Sequence, residues 1–102
     1  MKGDIAMIEI KNKEEFYEKV IDSRGKVLVE FYGDRCPKCR NLEFMLSKSS
    51  IECPIYKVNI DENMELANEY DVLSIPFLIL FEDGKEVARQ KQSPMAFIRN
   101  VV

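Results

Sequence analysis

The chain has 102 residues, a length that fits one domain, so we expect a single domain over residues 1–102. Its formal net charge of −3, without a stripe of Lys and Arg, argues against nucleic acid as a partner. The longest apolar stretch, residues 75–81, is too short to span a bilayer, and residues 1–5 contain no apolar signal-peptide segment, so we expect a cytoplasmic protein with no membrane partner.

The first third of the chain predicts a strand, a helix and a second strand. Residues 6–10 alternate enough in polarity for a short strand. Asn12 followed by Glu15 is the pattern of a capping box, which predicts a helix over residues 13–22. Residues 26–32 are nearly all apolar, as expected of a central strand that is covered on both faces.

The rest of the chain predicts three helices and three strands. The first of these helices follows Cys36, and its expected buried stripe is Cys39, Leu42, Met45 and Leu46. In chain order, the others are a strand over 55–60, a helix over 64–70, a strand over 75–81, a return strand over 85–91 after the Asp83-Gly84 turn, and a helix from Ser93-Pro94 to about residue 100. The order βαβαβαββα predicts an α/β fold with a central mixed sheet flanked by helices.

Cys36 and Cys39 carry the strongest chemical signal in the sequence. Two cysteines that are separated by two residues at a helix start can reach each other and close a small disulfide. The unpaired N–H groups and the positive dipole end of the helix favour a thiolate at the first cysteine. A zinc site is the alternative, but it needs about four ligands, and the chain adds only Cys53 and no histidine. We therefore predict a redox-active pair and no metal.

With these elements in place, the chain resembles the thioredoxin family over essentially its whole length. The matching segments, in the family's order, are residues 29–32, Cys36-Pro37-Lys38-Cys39, residues 56–61, Ser74-Ile75-Pro76 and residues 81–84. The resemblance implies a thioredoxin fold and the reduction of protein disulfides by thiol–disulfide exchange. It also implies a monomer that needs no cofactor beyond its own disulfide. Its electrons would come from a thioredoxin reductase or another donor.

The same resemblance assigns roles to individual residues. Cys36 is the attacking cysteine, and Cys39 is the resolving one. Pro76 matches the family's cis-proline, and Ile75 would offer its main chain to an extended substrate. The other residues that we expect to contact substrate are Tyr32, Arg35, Pro37 and Lys38.

Glu30 is an acidic residue in the middle of an otherwise apolar strand. Burial would raise the pKa of its carboxyl group, which would make it a proton acceptor or donor for Cys39 as the disulfide opens. Lys57, in a strand expected beside it, is its predicted partner. The family carries aspartate here, so the longer glutamate is a departure. The alternative is an outward-pointing charge at the edge of the sheet.

Other departures bear on the chemistry of the pair. The family's tryptophans are missing, and Arg35, Lys38 and Arg40 surround the cysteines with positive charge. Because positive charge favours a thiolate, it stabilises the reduced form, and we predict a less reducing pair than is typical of the family. Cys53 is expected to be a non-catalytic thiol.

Two alternatives remain open at this point. The Cys-Pro-x-Cys pattern also resembles glutaredoxins, which suggests a glutathione-linked oxidoreductase. Against this, some 35 residues precede Cys36, and no Gly-Gly follows the last hairpin. The other alternative is a thioredoxin-fold binding module without redox turnover, although such a module has no chemical need for two cysteines.

Overall fold

A computed structural model describes residues 7–101 of the chain. Within these residues, five strands form one sheet in the order β1-β3-β2-β4-β5. The strands are β1 (Met7–Ile10), β2 (Lys26–Tyr32), β3 (Ile55–Asn59), β4 (Phe77–Glu82) and β5 (Lys85–Arg89). β3 pairs in parallel with β1 and β2, whereas β4 is antiparallel to β2 and β5. The predicted mixed sheet is therefore confirmed.

Helices cover both faces of the sheet. They are α1, which is α-helical over Lys13–Phe16 and π-helical over Tyr17–Ile21, α2 (Pro37–Ser47), α3 (Met64–Glu69) and α4 (Pro94–Val101). α1 and α3 pack on one face, and α2 and α4 pack on the other. No helix within residues 7–101 is both long enough and apolar enough to cross a membrane.

The alternation of side chains along β2 divides the core into two layers. Val29 and Phe31 belong to the layer under α1 and α3. Leu28 belongs to the layer under α2 and α4. Because successive side chains of a strand point to opposite faces, Glu30 lies on the same face as Leu28, beneath α2.

Helix α2 confirms most of the predicted stripe. Cys39, Leu42 and Leu46 are buried, but Met45 is 45% exposed, so the prediction for Met45 was wrong. At about 100° per residue, Met45 is rotated by about 120° from Cys39 around the helix axis. Glu43 is rotated by only about 40° and lies half-buried beside the stripe.

The helix caps and element ends differ slightly from expectation. Asn12 Oδ1 accepts the N–H of Glu15 at 2.8 Å, as predicted, but the Glu15 carboxylate accepts the N–H of Lys11 and not that of Asn12. β4 begins just after Pro76 and β5 ends at Arg89, which makes both strands shorter than predicted. Ala6, where the first strand was predicted to begin, lies outside the described residues.

The turn between β4 and β5 is the predicted tight turn. Asp83 and Gly84 both have positive φ angles, 52° and 81°, as hairpin turns of this kind require. A Cβ atom on Gly84 would lie 2.1 Å from the carbonyl oxygen of Ile21. Asp83 Oδ1 accepts the N–H of Gly25 at 2.8 Å and ties the turn to the start of β2.

Candidate active site

Cys36 and Cys39 form a disulfide at the start of α2. β2 ends at Tyr32, and a loop of three residues brings the chain to Cys36, which is the N-cap of the helix. Pro37 takes the first helical position, where its missing N–H leaves no intrahelical bond unmade. The two Cα atoms are 5.2 Å apart, a separation at which a disulfide closes without moving the backbone.

The two sulfurs differ in their surroundings. The N–H of Cys39 donates to Cys36 Sγ at 3.1 Å, so Cys36 Sγ acts as the capping group of α2. Cys36 is 7% exposed and Cys39 is 1% exposed. A thiolate at Cys36 would be stabilised by this donor and by the helix dipole. The arrangement is suited to attack at Cys36 and to resolution by the more deeply buried Cys39.

A second loop lies against the loop that carries the cysteines. The Ile75–Pro76 peptide bond is cis, the isomer that the resemblance implies. A Cβ atom on Gly33 would lie 2.7 Å from Ile75 Cδ1. This close approach places the Ile75–Pro76 loop beside the loop between β2 and α2.

Side chains from β3 and the loop that follows it hold the cysteine loop in place. Asn59 Nδ2 donates to Asp34 Oδ1 at 2.7 Å, and the N–H of Asp34 donates to Asp61 Oδ2 at 3.3 Å. Asn59 Oδ1 accepts the N–H of Asp61 at 2.8 Å, which links the two contacts. Asn59 and Asp61 lie in one of the segments that resemble the family, but their sequence did not reveal this role.

Glu30 lies beneath α2, the helix that begins at the disulfide, and is fully enclosed by protein. It is 0% exposed, which excludes the outward-pointing alternative, and neither of its carboxyl oxygens has a hydrogen-bond partner in the described chain. Burial, followed by the nearby Glu43 carboxylate, raises the pKa of Glu30 from 4.5 to about 9. The group is therefore protonated at neutral pH.

Lys57 is the register neighbour of Glu30 but not its ion-pair partner. Its Nζ lies 3.3 Å from Glu43 Oε1 and 4.7 Å from the centre of the Tyr32 ring. Lys57 therefore forms its ion pair with Glu43, and its positive charge acts on Glu30 only by lowering the pKa of that carboxyl, against the larger effect of burial. The side chains of Lys57 and Glu43 are 25% and 20% exposed. An ion pair that keeps some water loses less hydration than one around a fully buried carboxylate.

Tyr32 joins the same cluster from the end of β2. Its hydroxyl donates to Glu9 Oε1 at 2.6 Å, which connects the site to β1. Burial and the Glu9 carboxylate both raise the pKa of the Tyr32 hydroxyl, so it remains a neutral donor at physiological pH. Glu9 was missed because nothing in its local pattern separates it from an ordinary solvent-facing residue of an edge strand.

The remaining predicted contact residues surround the disulfide on the surface. Arg35, Pro37 and Lys38 are exposed, as is Arg40. The three cations among them, Arg35, Lys38 and Arg40, form no ion pair with another described residue. They leave positive charge beside the disulfide that is available to an incoming substrate.

Cys53 lies apart from this site. It is half-buried and packs against the apolar layer under α2 and α4. Burial raises the pKa of its thiol, which disfavours the reactive thiolate. Within residues 7–101, the structure contains no group of three or more thiol or carboxylate side chains placed to hold a metal ion.

The family model described as Thioredoxin matches residues 7–99. A thioredoxin of Chlamydia pneumoniae is 45% identical over 86 residues, which cover 81% of this chain and 82% of that protein. A bifunctional thioredoxin reductase/thioredoxin of Mycobacterium leprae is 36% identical over 78 residues, covering 72% of this chain and 17% of that protein. The oxidised mitochondrial thioredoxin 3 of Saccharomyces cerevisiae shares the fold, with a TM-score of 0.80 at 23% identity over 93% of this chain and 92% of its own.

Proposed function

Because the chain belongs to the thioredoxin family and is a thiol–disulfide oxidoreductase, we propose that Cys36 and Cys39 carry its reaction and that its substrates are protein disulfides. The observation that carries the proposal is the disulfide between the N-cap sulfur of α2 and a cysteine one turn further on. The matched relatives are thioredoxins, which favours this function over the glutaredoxin-like alternative.

The reaction proceeds in two exchanges. The Cys36 thiolate attacks one sulfur of the substrate disulfide, so a mixed disulfide forms and the other substrate sulfur leaves as a thiolate. Cys39 then loses its proton and attacks Cys36 Sγ. The Cys36–Cys39 bond forms, the mixed disulfide breaks, and the substrate leaves with two more electrons. An electron donor reverses these steps on the oxidised pair.

Glu30 serves as the proton donor and acceptor for Cys39. When a donor thiolate attacks Cys36, Cys39 leaves as a thiolate and takes the proton of the neutral Glu30. In the resolving step, the ionised Glu30 takes this proton back. The burial of Glu30 and its raised pKa support this role, because the acid form is the one present in the oxidised protein at neutral pH.

Substrate binding uses the surface next to Cys36. The main chain of Ile75, before the cis Pro76, offers hydrogen-bonding groups to an extended segment of the substrate. The exposed Arg35, Pro37 and Lys38 contact residues that flank the substrate disulfide. Tyr32 stabilises the site from the side of the sheet, since its hydroxyl donates a hydrogen bond to Glu9.

Thioredoxins need no added cofactor, and we assign none to this chain beyond its own disulfide. The relative from Mycobacterium leprae, named as both thioredoxin reductase and thioredoxin, supports a thioredoxin reductase as the electron donor. We further propose a single-domain, cytoplasmic monomer with neither nucleic acid nor membrane as a partner.

Variants of the three cysteines test the proposal. With dithiothreitol as the donor and a protein disulfide as the substrate, Cys36→Ser abolishes turnover. Reduced Cys39→Ser, mixed with the same substrate after the dithiothreitol has been removed, accumulates a mixed disulfide through Cys36 that mass spectrometry detects. Cys53→Ser is the control and keeps full activity. Turnover that survives in Cys36→Ser would exclude Cys36 as the nucleophile. A wild-type protein that binds partners without reducing them would point to the binding module.

A further inference from the structure

We propose that Glu43 is a positioning residue that holds the Lys57 ammonium in an ion pair and thereby keeps it from pairing directly with the buried carboxyl group of Glu30. The inference deepens the proposed function, because it rests on Glu30 exchanging a proton with Cys39. It assigns a role to a residue outside the segment from Cys36 to Cys39.

The position of Glu43 on α2 allows this role. Glu43 follows Cys39 by four residues, so both side chains lie on the sheet-facing side of the helix. From there its Oε1 reaches Lys57 Nζ at 3.3 Å. Lys57 rises from β3 at the position directly paired with Glu30, so its side chain runs from a position beside Glu30 to the carboxylate of Glu43.

Glu30 and the charged groups around it make three carboxyls and one cation. Glu43 faces it from α2, Lys57 from β3 and Glu9 from β1, and Tyr32 follows it on β2. Glu9 is satisfied by the Tyr32 hydroxyl at 2.6 Å, and Glu43 is satisfied by Lys57. Glu30 alone has no partner.

Strand β4, which pairs with β2 on the side away from β3, places no charged residue opposite Glu30. The residue paired with Glu30 on β4 is Leu78, which is fully buried in the apolar layer. The only cation that could neutralise an ionised Glu30 within this set is therefore the one that Glu43 holds. A carboxyl group without a counter-ion in an apolar environment favours its neutral form.

Removing the charge of Glu43 frees the lysine to approach Glu30. An opposite charge within about 4–6 Å lowers a carboxyl pKa by about 1–3 units. Glu30 would then be ionised over a wider pH range, and a smaller fraction of it would hold a proton for Cys39 at neutral pH. Glu43 in this way maintains the acid form of Glu30 on which disulfide opening depends.

The test is a titration of the Glu30 side-chain carboxyl in the oxidised protein by carbon-13 NMR, assigned with Glu30→Gln. In Glu43→Gln, the midpoint falls by at least about one pH unit, a tenfold change in proton affinity. In the double variant Glu43→Gln/Lys57→Gln, the midpoint falls by less than in Glu43→Gln, because the lysine that would approach Glu30 is gone and only the direct effect of the Glu43 carboxylate is lost. Glu18→Gln, on the helix at the opposite face of the sheet, makes the same charge change and leaves the midpoint unchanged.

Two results overturn the proposal. One is an unchanged Glu30 midpoint in Glu43→Gln. The other is an equal fall with and without Lys57, which would show that Glu43 acts through its own charge.

The pH profile of disulfide opening by dithiothreitol separates this proposal from the role of Glu30. If the midpoint falls in Glu43→Gln but the rate profile does not move with it, the positioning role stands and proton transfer by Glu30 is refuted.

Discussion

Replacing Glu30 by Gln keeps the shape of the side chain and removes its titration. In the folded protein the carboxyl has a pKa of about 9, whereas its ordinary value is 4.5. Between these values the folded state binds a proton that the unfolded state does not, so stability falls as the pH rises. The free energy of unfolding of the wild type therefore decreases by about 1.4 kcal/mol per pH unit in this window.

The size of the effect follows from the same two values. A pH of 7 is about 2.5 units above the ordinary pKa of the carboxyl, so keeping Glu30 protonated in the folded protein costs about 3 kcal/mol. This is a large part of the stability of a typical small domain, about 5–15 kcal/mol. Glu30→Gln avoids the protonation cost, although its buried amide offsets a pH-independent part of the gain. The difference between the two proteins should therefore grow with pH.

Urea unfolding of the oxidised protein at several pH values between about 5.5 and 8 measures this difference. Both proteins carry Cys53→Ser, so that no new disulfide forms in the unfolded chains. We expect the stability of Glu30→Gln, relative to its parent, to increase by about 3 kcal/mol across this range. Parallel pH profiles for the two proteins would show that Glu30 is not held neutral by burial, which would refute the reasoning.

Two further predictions concern the charge around the disulfide and the turn between β4 and β5. Replacing Arg35 and Lys38 by Ala removes cations that stabilise the thiolate, so the reduction potential should become more negative, by about 30 mV for each tenfold change in the exchange equilibrium. A potential that does not move in glutathione buffers would exclude these charges as a cause. Gly84→Ala should destabilise the fold by at least about 2 kcal/mol more than Gly25→Ala, because both glycines have a φ angle of 81° but only at Gly84 would the new Cβ meet the backbone of Ile21. Equal losses of stability in urea unfolding would contradict this explanation.

Much of the fold could be predicted from short-range patterns. The apolar run of β2, the cap and proline at the start of α2, and the Asp83-Gly84 turn all depend on residues a few positions apart. They were found where expected, with strand ends displaced by one or two residues. The burial of Glu30 could also be predicted, because a residue in the middle of a central strand has little access to water. The family, the fold and the thiol–disulfide oxidoreductase function that the resemblance implies are confirmed.

Only the tertiary structure showed which side chains meet. Sequence spacing places Lys57 beside Glu30, but it does not reveal that α2 brings Glu43 within 3.3 Å of the lysine. The contact of Gly33 with Ile75 likewise joins two loops that are far apart in the chain. Periodicity determines which face of a helix or strand a residue occupies. The partner of a long charged side chain depends instead on which opposite charges the folded chain places within its reach, and on how much water each of them retains.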